Sequence, residues 1–304
     1  MFRLSALAVA AAALTLAACE RPADKAEAPT QPAAAAIQAS ADVYPITIGS
    51  IRAAALRDGG MDLPLDGDML PWTDRAAVRD ALAAAGQAGE TLHLSIQPLL
   101  VRDGDRVVLI DSGAGGQMGT PSTLVASLRA AGVTPEQVTD VLISHAHGDH
   151  VGGLASSGAL TFPNAVIRFS APEWAYAQAG AAEAGAEALV AAITPKVQTF
   201  EPGAQVTPSI KAVPLAGHTP GHTGYEITSD GQSLLYIGDA MHSSAVSVAR
   251  PDLVNTWDDG AAAGVATRQA LLTRGGRLYA VHFPFPGVGT IERRGEGHAW
   301  VPES

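Results

Sequence analysis

Three histidines and an aspartate lie within six residues of this 304-residue chain, in the segment His145-Ala-His147-Gly-Asp149-His150. The apolar residues 138–144 come directly before them and predict a strand that ends at this segment. Imidazole nitrogens and carboxylate oxygens are the ligands that zinc-like divalent cations accept. The chain has only nine histidines, and a solvated loop has no reason to gather three of them. The segment therefore predicts a metal site.

More residues of the same chemical types lie at or just beyond the ends of other apolar segments. They are Asp111 in Leu-Ile-Asp-Ser-Gly, His218 and His222 in Gly-His-Thr-Pro-Gly-His, Asp239 in Tyr-Ile-Gly-Asp and His282 in Tyr-Ala-Val-His. A loop at a strand end can direct several side chains towards one point, so these segments are candidates for the same site.

The elements that must position these residues alternate between strands and helices. Alternation and turn residues predict strands over residues 44–56, 91–101, 106–111, 138–144, 165–169, 206–215, 224–228, 233–237 and 277–281. Helical spacing is found over residues 124–128 and 261–273, and over residues 171–193 with a break around Gly180 and Gly185. Residues 61–74 read as a loop. The mixture predicts an α/β (α+β) fold of sheets covered by helices, with both antiparallel and parallel pairs.

The segment His-x-His-x-Asp-His resembles the signature of the metallo-β-lactamase fold. The four later segments also resemble motifs of that family and follow in the family's order. The resemblance covers residues 43–302, nearly the whole of a predicted hydrolase domain over residues 42–304. It implies a single domain built as a four-layer αββα sandwich.

The resemblance also implies a ligand set for two metal ions. The first ion would be bound by three histidines, His145, His147 and His218. The second would be bound by Asp149, His150 and His282, and Asp239 would bridge both ions. Asp111 would orient the ligand loop without binding metal, and His222 and His242 are left with a supporting or substrate-contacting role.

Seven ligands suit two cations with open positions between them. Water shared by two such ions ionises near neutral pH, which predicts attack on an ester-like bond by a bridging hydroxide. Asp239 would hold the ions together, and Asp149 would relay a proton to the leaving group. Zinc is the default ion, while manganese, cobalt and iron remain open alternatives.

Asp239 and the C-terminal residues 282–302 narrow the class of expected substrate. The β-lactamases of this fold place a cysteine at the position of Asp239 or lack the bridging carboxylate, and the chain's single cysteine is Cys19. Residues 282–302 resemble the ending of methyl parathion hydrolase-like proteins, whereas His242 stands where quorum-quenching lactonases have a tyrosine. An arylester, a lactone or an organophosphate triester is the expected small-molecule substrate. A β-lactamase or thioesterase, and a non-catalytic metal-binding lipoprotein, are the alternatives.

The N-terminus predicts export. Residues 1–18 combine one arginine with an apolar run and small residues, as signal peptides do. The run is shorter than the roughly 20 apolar residues that span a bilayer. Leu-Ala-Ala-Cys19 resembles a bacterial lipobox, which implies lipidation of Cys19. Residues 19–41 then form a tether rich in alanine and proline, which predicts a periplasmic protein held to a membrane by its lipid alone.

The formal charge of −11 and the pI near 5.2 argue against nucleic acid as a partner. The sequence leaves open whether the chain is a monomer or a homodimer.

Overall fold

The computed structural model describes Met1 and residues 36–118, 120–180 and 186–303. The predicted signal peptide, Cys19 and most of the predicted tether lie outside these residues. Ile37 is 8% exposed and packs in a core cluster with Val43 and Leu100, so the packed chain begins before Asp42. Within the described part, no helix is long and apolar enough to cross a membrane.

The first of two large sheets has seven strands. In spatial order they are β1 (Val43–Ile48), β2 (Ile51–Leu56), β5 (Leu99–Asp103), β6 (Arg106–Ile110), β7 (Asp140–Leu142), β10 (Val166–Ser170) and β11 (Val197–Phe200). The pairs from β1 to β6 are antiparallel and those from β6 to β11 are parallel. The single strand predicted over residues 44–56 is instead the β1–β2 hairpin, because Gly49 takes the left-handed conformation that a tight turn needs (φ 56°).

The second large sheet has six strands. They are β12 (Ile210–Pro214), β13 (Thr223–Ser229), β14 (Gln232–Tyr236), β15 (Arg277–Tyr279), β16 (Val288–Arg294) and β17 (Gly297–Pro302). Neighbours are antiparallel except for the parallel pair β14–β15. Two small hairpins are β3 (Gly59–Pro64) with β4 (Thr91–Ile96), and β8 (Ala155–Ser156) with β9 (Ala159–Leu160). The loop predicted over residues 61–74 is therefore wrong at its start, since β3 is a paired strand.

Helices cover the outer faces of both large sheets. The α-helices of the described residues are α1 (Arg75–Ala84), α2 (Leu124–Ala130), α3 (Gly148–Val151), α4 (Ala171–Gln178), α5 (Glu187–Ile193), α6 (Val246–Ala249) and α7 (Ala261–Arg274). Leu128 of α2 and Ala177 of α4 pack on the first sheet, and Leu271 of α7 packs on the second. A third apolar cluster, with Ile110 and Tyr225, lies between the sheets. The predicted four-layer αββα sandwich is confirmed.

The predicted site residues follow strands that end at one edge of the sandwich. Strands β6 and β7 are parallel neighbours, and so are β14 and β15. Parallel neighbours bring their carboxyl ends to the same edge of a sheet. Asp111 follows β6, the segment 143–150 follows β7, Asp239 follows β14 and His282 follows β15. The topology alone therefore gathers residues that are far apart in the sequence.

Candidate metal centre

The carboxylate of Asp239 lies at the centre of the cluster and faces histidines on both sides. Its Oδ1 lies 3.1 Å from His150 Nε2, and its Oδ2 lies 3.1 Å from His282 Nε2 and 3.5 Å from His218 Nε2. His145 Nε2 is 3.8 Å from the same Oδ2. One carboxylate is thus shared between two groups of imidazoles, which is the arrangement a bridging ligand requires.

The remaining predicted ligands complete the two groups. His147 Nδ1 lies 2.9 Å from His218 Nε2. The Asp149 carboxylate lies 3.7 Å from His150 Nε2 through Oδ1 and 3.5 Å from His282 Nε2 through Oδ2. The seven predicted ligands are therefore together, and their assignment to two ions remains a prediction.

The donor atoms fit divalent cations. His145 Nε2, His150 Nε2 and Asp239 Oδ1 are buried without a hydrogen-bond partner. An unsatisfied buried polar atom costs free energy, so such a group calls for a missing partner. Two ligands of one ion lie roughly 3–3.5 Å apart when each is about 2.1 Å from it, which matches the separations around Asp239. The donor atoms of His145, His147 and His218, and those of Asp149, His150 and His282, each lie within 4.8 Å of one another.

Burial keeps part of the cluster neutral. It lowers the pKa of His145 well below its usual range and that of His218 to about 4. A neutral imidazole has the lone pair that a metal needs. Burial opposes ionisation of Asp239, but its histidine neighbours, His150 first, hold the pKa of that carboxyl well below its usual range. Burial also disfavours charge on His150, yet the carboxylates, Asp239 first, raise its pKa well above the usual value. The cluster therefore attracts positive charge.

Hydrogen bonds from the far side of the rings orient the ligands. His150 Nδ1 lies 2.7 Å from Asp111 Oδ2, and His282 Nδ1 lies 2.8 Å from the carbonyl oxygen of Ser95. His218 Nδ1 faces Asp258 Oδ1 at 3.4 Å. Each of these acceptors places the proton on Nδ1 and leaves the Nε2 lone pair directed at the cluster, as in known metal sites.

Asp111 acts as the acceptor that ties the ligand loop to both sheets. Its carboxylate accepts from Ser144 N (2.7 Å), Ser144 Oγ (2.6 Å) and Tyr236 Oη (2.7 Å), in addition to His150. The residue is fully buried, and its backbone adopts the left-handed conformation (φ 61°). Its contacts support the loop-orienting role that the resemblance implied.

His222 is engaged by the backbone at both ring nitrogens. Its Nδ1 donates to the carbonyl oxygen of Leu215 (3.0 Å), and its Nε2 accepts from the amide of Asp239 (2.9 Å). Burial lowers the pKa of His222 to about 3. Gly238 makes this contact possible, because a Cβ there would lie 2.6 Å from His222 Nε2. His222 supports the Asp239 turn and has no nitrogen left for metal.

His242 lies inside the cluster. It is completely buried, and its Nε2 lies 3.1 Å from Asp239 Oδ2. Its donor atom groups with those of His218 and Asp239 within 4.8 Å. Separations alone would therefore admit His242 as an eighth ligand.

Glu173 was missed by sequence reasoning. It is buried, and its Oε1 accepts from the amide of Ala146 (2.8 Å), while Oε2 accepts from Thr219 Oγ1 (2.7 Å) and the amide of Gly221 (3.1 Å). The carboxylate thus joins the loop of His145 and His147 to the loop of His218. The Ser-Ala-Pro-Glu start of α4 indicates a helix N-terminus, but nothing in the sequence indicates which loops the carboxylate meets.

A cavity of about 270 Å³ opens above the cluster. Its floor includes Asp149, Asp239 and His282, and its walls are the apolar side chains of Met61, Met69, Leu94, Met118 and Trp257. Met69 and Met118 are 59% and 48% exposed at its rim. The sequence did not single out these methionines, because they come from separate segments.

A comparison with models of protein families identifies the family of this chain. Residues 95–272, more than half of the chain, match the model of the metallo-beta-lactamase superfamily. The chain belongs to the metallo-beta-lactamase superfamily. The resemblance seen in the sequence is confirmed, and so is the prediction of a hydrolase of this superfamily.

Two solved structures resemble this one over most of its length. AidC, a dizinc quorum-quenching lactonase in complex with a product, is 26% identical, with a TM-score of 0.78 over 86% of this chain and 97% of that one. The hydrolase AbOPH is 30% identical, with a TM-score of 0.77 over 88% of this chain and 99% of that one. Together with the His/Asp clusters, the dizinc neighbour supports a dinuclear divalent metal site.

Two curated relatives match a shorter region. An uncharacterized protein, YobT of Bacillus subtilis, is 30% identical over 47% of this chain and 60% of its own length. An N-acyl homoserine lactonase of Bacillus cereus is 26% identical over 54% of this chain and 69% of its own length. The chain thus spans less than two thirds of the first of these relatives.

Proposed function

We propose that this protein hydrolyses ester-like bonds of small molecules at a dinuclear metal centre, with zinc as the expected ion. The expected substrates are lactones, arylesters and organophosphate triesters. The observation that carries the proposal is the shared Asp239 carboxylate between two histidine groups, on the floor of a cavity with apolar walls. The lactonase relatives favour a lactone among these substrates.

Two divalent cations bound here would polarise the scissile bond and supply a water-derived nucleophile at neutral pH. The protein's own groups have separate tasks. Asp239 holds the two halves of the site together, and Asp149, which faces the cavity, is placed to pass a proton to the leaving oxygen. The methionines and Trp257 would bind an apolar acyl or aryl group and exclude bulk water from the floor.

The test is metal content per chain, measured together with turnover of a substrate panel. The purified protein is loaded with zinc, manganese or cobalt and assayed with an N-acyl homoserine lactone, p-nitrophenyl acetate, methyl paraoxon and nitrocefin. About two metal ions per chain with turnover of the lactone, ester or triester is the expected result. Turnover of nitrocefin alone would favour the β-lactamase alternative, and metal without any turnover would favour the non-catalytic one.

We also propose that the chain is exported and anchored to a membrane through a lipid on Cys19. The support is the sequence of residues 1–19 alone, with its apolar run and Leu-Ala-Ala-Cys ending.

A further inference from the structure

The side-chain amide of Asn255 has a defined orientation. Asn255 is 1% exposed, and its Oδ1 accepts a hydrogen bond from the backbone amide of Trp257 at 2.9 Å. Only the oxygen of a side-chain amide can accept this bond. The backbone of Asn255 is held as well, by a β-bridge to Trp72 and by a hydrogen bond from the amide of Asp258 to its carbonyl oxygen. Its NH₂ group must therefore point the other way.

That NH₂ group faces the ring of His242. Asn255 Nδ2 lies 3.0 Å from His242 Nδ1. An NH₂ group only donates, so Nδ1 must be the acceptor and the proton of the neutral imidazole must be on Nε2. The ring plane is fixed by stacking on His282 (5.5 Å between centroids, 10°) and by an edge contact with Trp257 (5.2 Å).

This tautomer is the opposite of that in three of the predicted ligands. The Nδ1 atoms of His150, His218 and His282 face oxygen acceptors. His242 instead directs an N–H at the cluster. Its Nε2 lies 3.1 Å from Asp239 Oδ2 yet has no hydrogen-bond partner. A protonated nitrogen has no lone pair for a metal. The Nε2–H of His242 is therefore a buried hydrogen-bond donor beside the shared Asp239 carboxylate.

We propose that Asn255 is a positioning residue that holds His242 as its Nε2–H tautomer. His242 is thereby kept out of the ligand set and presents a hydrogen-bond donor to the oxygen that gains charge as the substrate's ester-like bond breaks. The tautomer follows from contacts within the protein, whereas the role toward substrate rests on the proposed function.

The test reverses the polarity of this hydrogen bond. In Asn255→Asp, one carboxylate oxygen can still accept from the Trp257 amide, while the other requires a proton on His242 Nδ1. The imidazole tautomers are read by two-bond ¹H–¹⁵N NMR of the zinc-loaded protein, with His242→Gln used to assign the signals. Asn164→Asp is the matched control. Asn164 is exposed, and its substitution by aspartate adds the same negative charge as Asn255→Asp.

We expect Nε2–H at His242 in the wild type and Nδ1–H in Asn255→Asp, with kcat at least about tenfold lower, a smaller change in KM and two metal ions still bound. Asn164→Asp should match the wild type in all of these.

The wild-type spectrum is decisive even where a variant is unstable, since an Nδ1–H signal there overturns the proposal. A switched tautomer with unchanged kcat overturns the role toward substrate. A wild type that has the Nε2–H signal but cleaves no substrate of the panel overturns the proposed function and leaves the tautomer assignment standing.

Discussion

Asp239 is the residue on which both histidine groups depend, because its carboxylate contacts members of both: Oδ1 faces His150, and Oδ2 lies between His282 and His218. Burial makes an isolated carboxylate costly, so its ionised form depends on the positive charge around it. The same reasoning separates the histidines by what their Nδ1 atoms meet. Carboxylates and carbonyls favour metal ligation by Nε2, whereas the amide of Asn255 favours hydrogen-bond donation by His242.

The substitution Asp239→Asn tests the shared carboxylate. The amide keeps the shape but removes the charge and one acceptor oxygen, so we expect bound metal and turnover to fall together, with turnover reduced about hundredfold or more. Elemental analysis and steady-state kinetics measure both. The exposed Asp68→Asn is the control. Unchanged metal content and rate would remove Asp239 from the centre.

At the scale of elements, the start of α4 connects the two sheets at the site. Glu173 joins a loop that follows β7 of the first sheet to the loop that precedes β13 of the second. Ser170, the residue that caps α4, donates to the carbonyl oxygen of Gly221 in the same loop. A side chain at Gly221 would place its Cβ 2.2 Å from the amide nitrogen of Glu173. The start of α4 therefore links the loop that carries His147 to the loop that carries His218.

Glu173→Ala should destabilise the protein. It leaves a cavity and removes the acceptor for the buried donors of Ala146, Thr219 and Gly221, at a cost of about 2–5 kcal/mol in the free energy of unfolding. Denaturant unfolding at pH 5 measures the change. Glu187→Ala on the neighbouring helix α5 is exposed and should have little effect. Equal stability of the two variants would contradict the connecting role of Glu173.

Glu173→Gln tests the pH dependence. Burial raises the pKa of Glu173 from 4.5 to about 7, so between these values the native protein holds a proton that the unfolded chain has lost. The free energy of unfolding contributed by Glu173 therefore falls as the pH rises from 4.5 to 7, by up to about 3 kcal/mol. Relative to Glu173→Gln, the wild type should become less stable across this window. Parallel pH profiles of the two proteins would show that Glu173 titrates normally.

At the scale of the molecule, the site is formed at one edge of the sandwich by loops from both sheets. Asp111 and the segment 143–150 come from the first sheet, and Asp239 and His282 come from the second. Cations bound between them would stabilise the folded chain, because the unfolded chain does not bring the ligands together.

Metal removal should therefore lower the melting temperature. Binding at about 100 times the dissociation constant contributes about 2.7 kcal/mol, which corresponds to a fall of roughly 5–11 °C for a domain of 150–250 residues and somewhat less for a longer one. Differential scanning calorimetry before and after dialysis against a chelator measures this shift, and zinc should restore it. A melting temperature that does not respond to chelator or zinc would argue against a metal centre.

Cys19→Ser tests the anchor of the whole protein. If Cys19 is lipidated, the full-length wild type should sediment with bacterial membranes, and the variant should be released because it lacks the sulfur that bears the lipid. Fractionation followed by immunoblotting measures the distribution. Wild-type protein found in the soluble periplasmic fraction would end the anchor hypothesis.

Much of the candidate centre could be predicted from local sequence. Histidines and aspartates that follow apolar segments indicate candidate ligands, since each strand delivers its next residues to a sheet edge, and the resemblance to the metallo-β-lactamase fold implied which of them bind metal. The same local signals predicted sheets covered by helices, and the resemblance implied the αββα layers. They did not separate β1 from β2 or β4 from β5, and they did not identify β3, because turns and short edge strands depend on their pairing partners.

The tertiary structure alone decided what surrounds the ligands. Asn255, Glu173 and the methionines of the cavity lie in segments without a chemical motif. Asn255 and Glu173 hold residues of other segments, and the methionines line the cavity. Whether His242 binds metal or donates a hydrogen bond depends on which atom faces Nδ1. The residue types and their spacing indicated which side chains are candidate ligands, but hydrogen-bond partners across the fold determine the proton that each side chain carries.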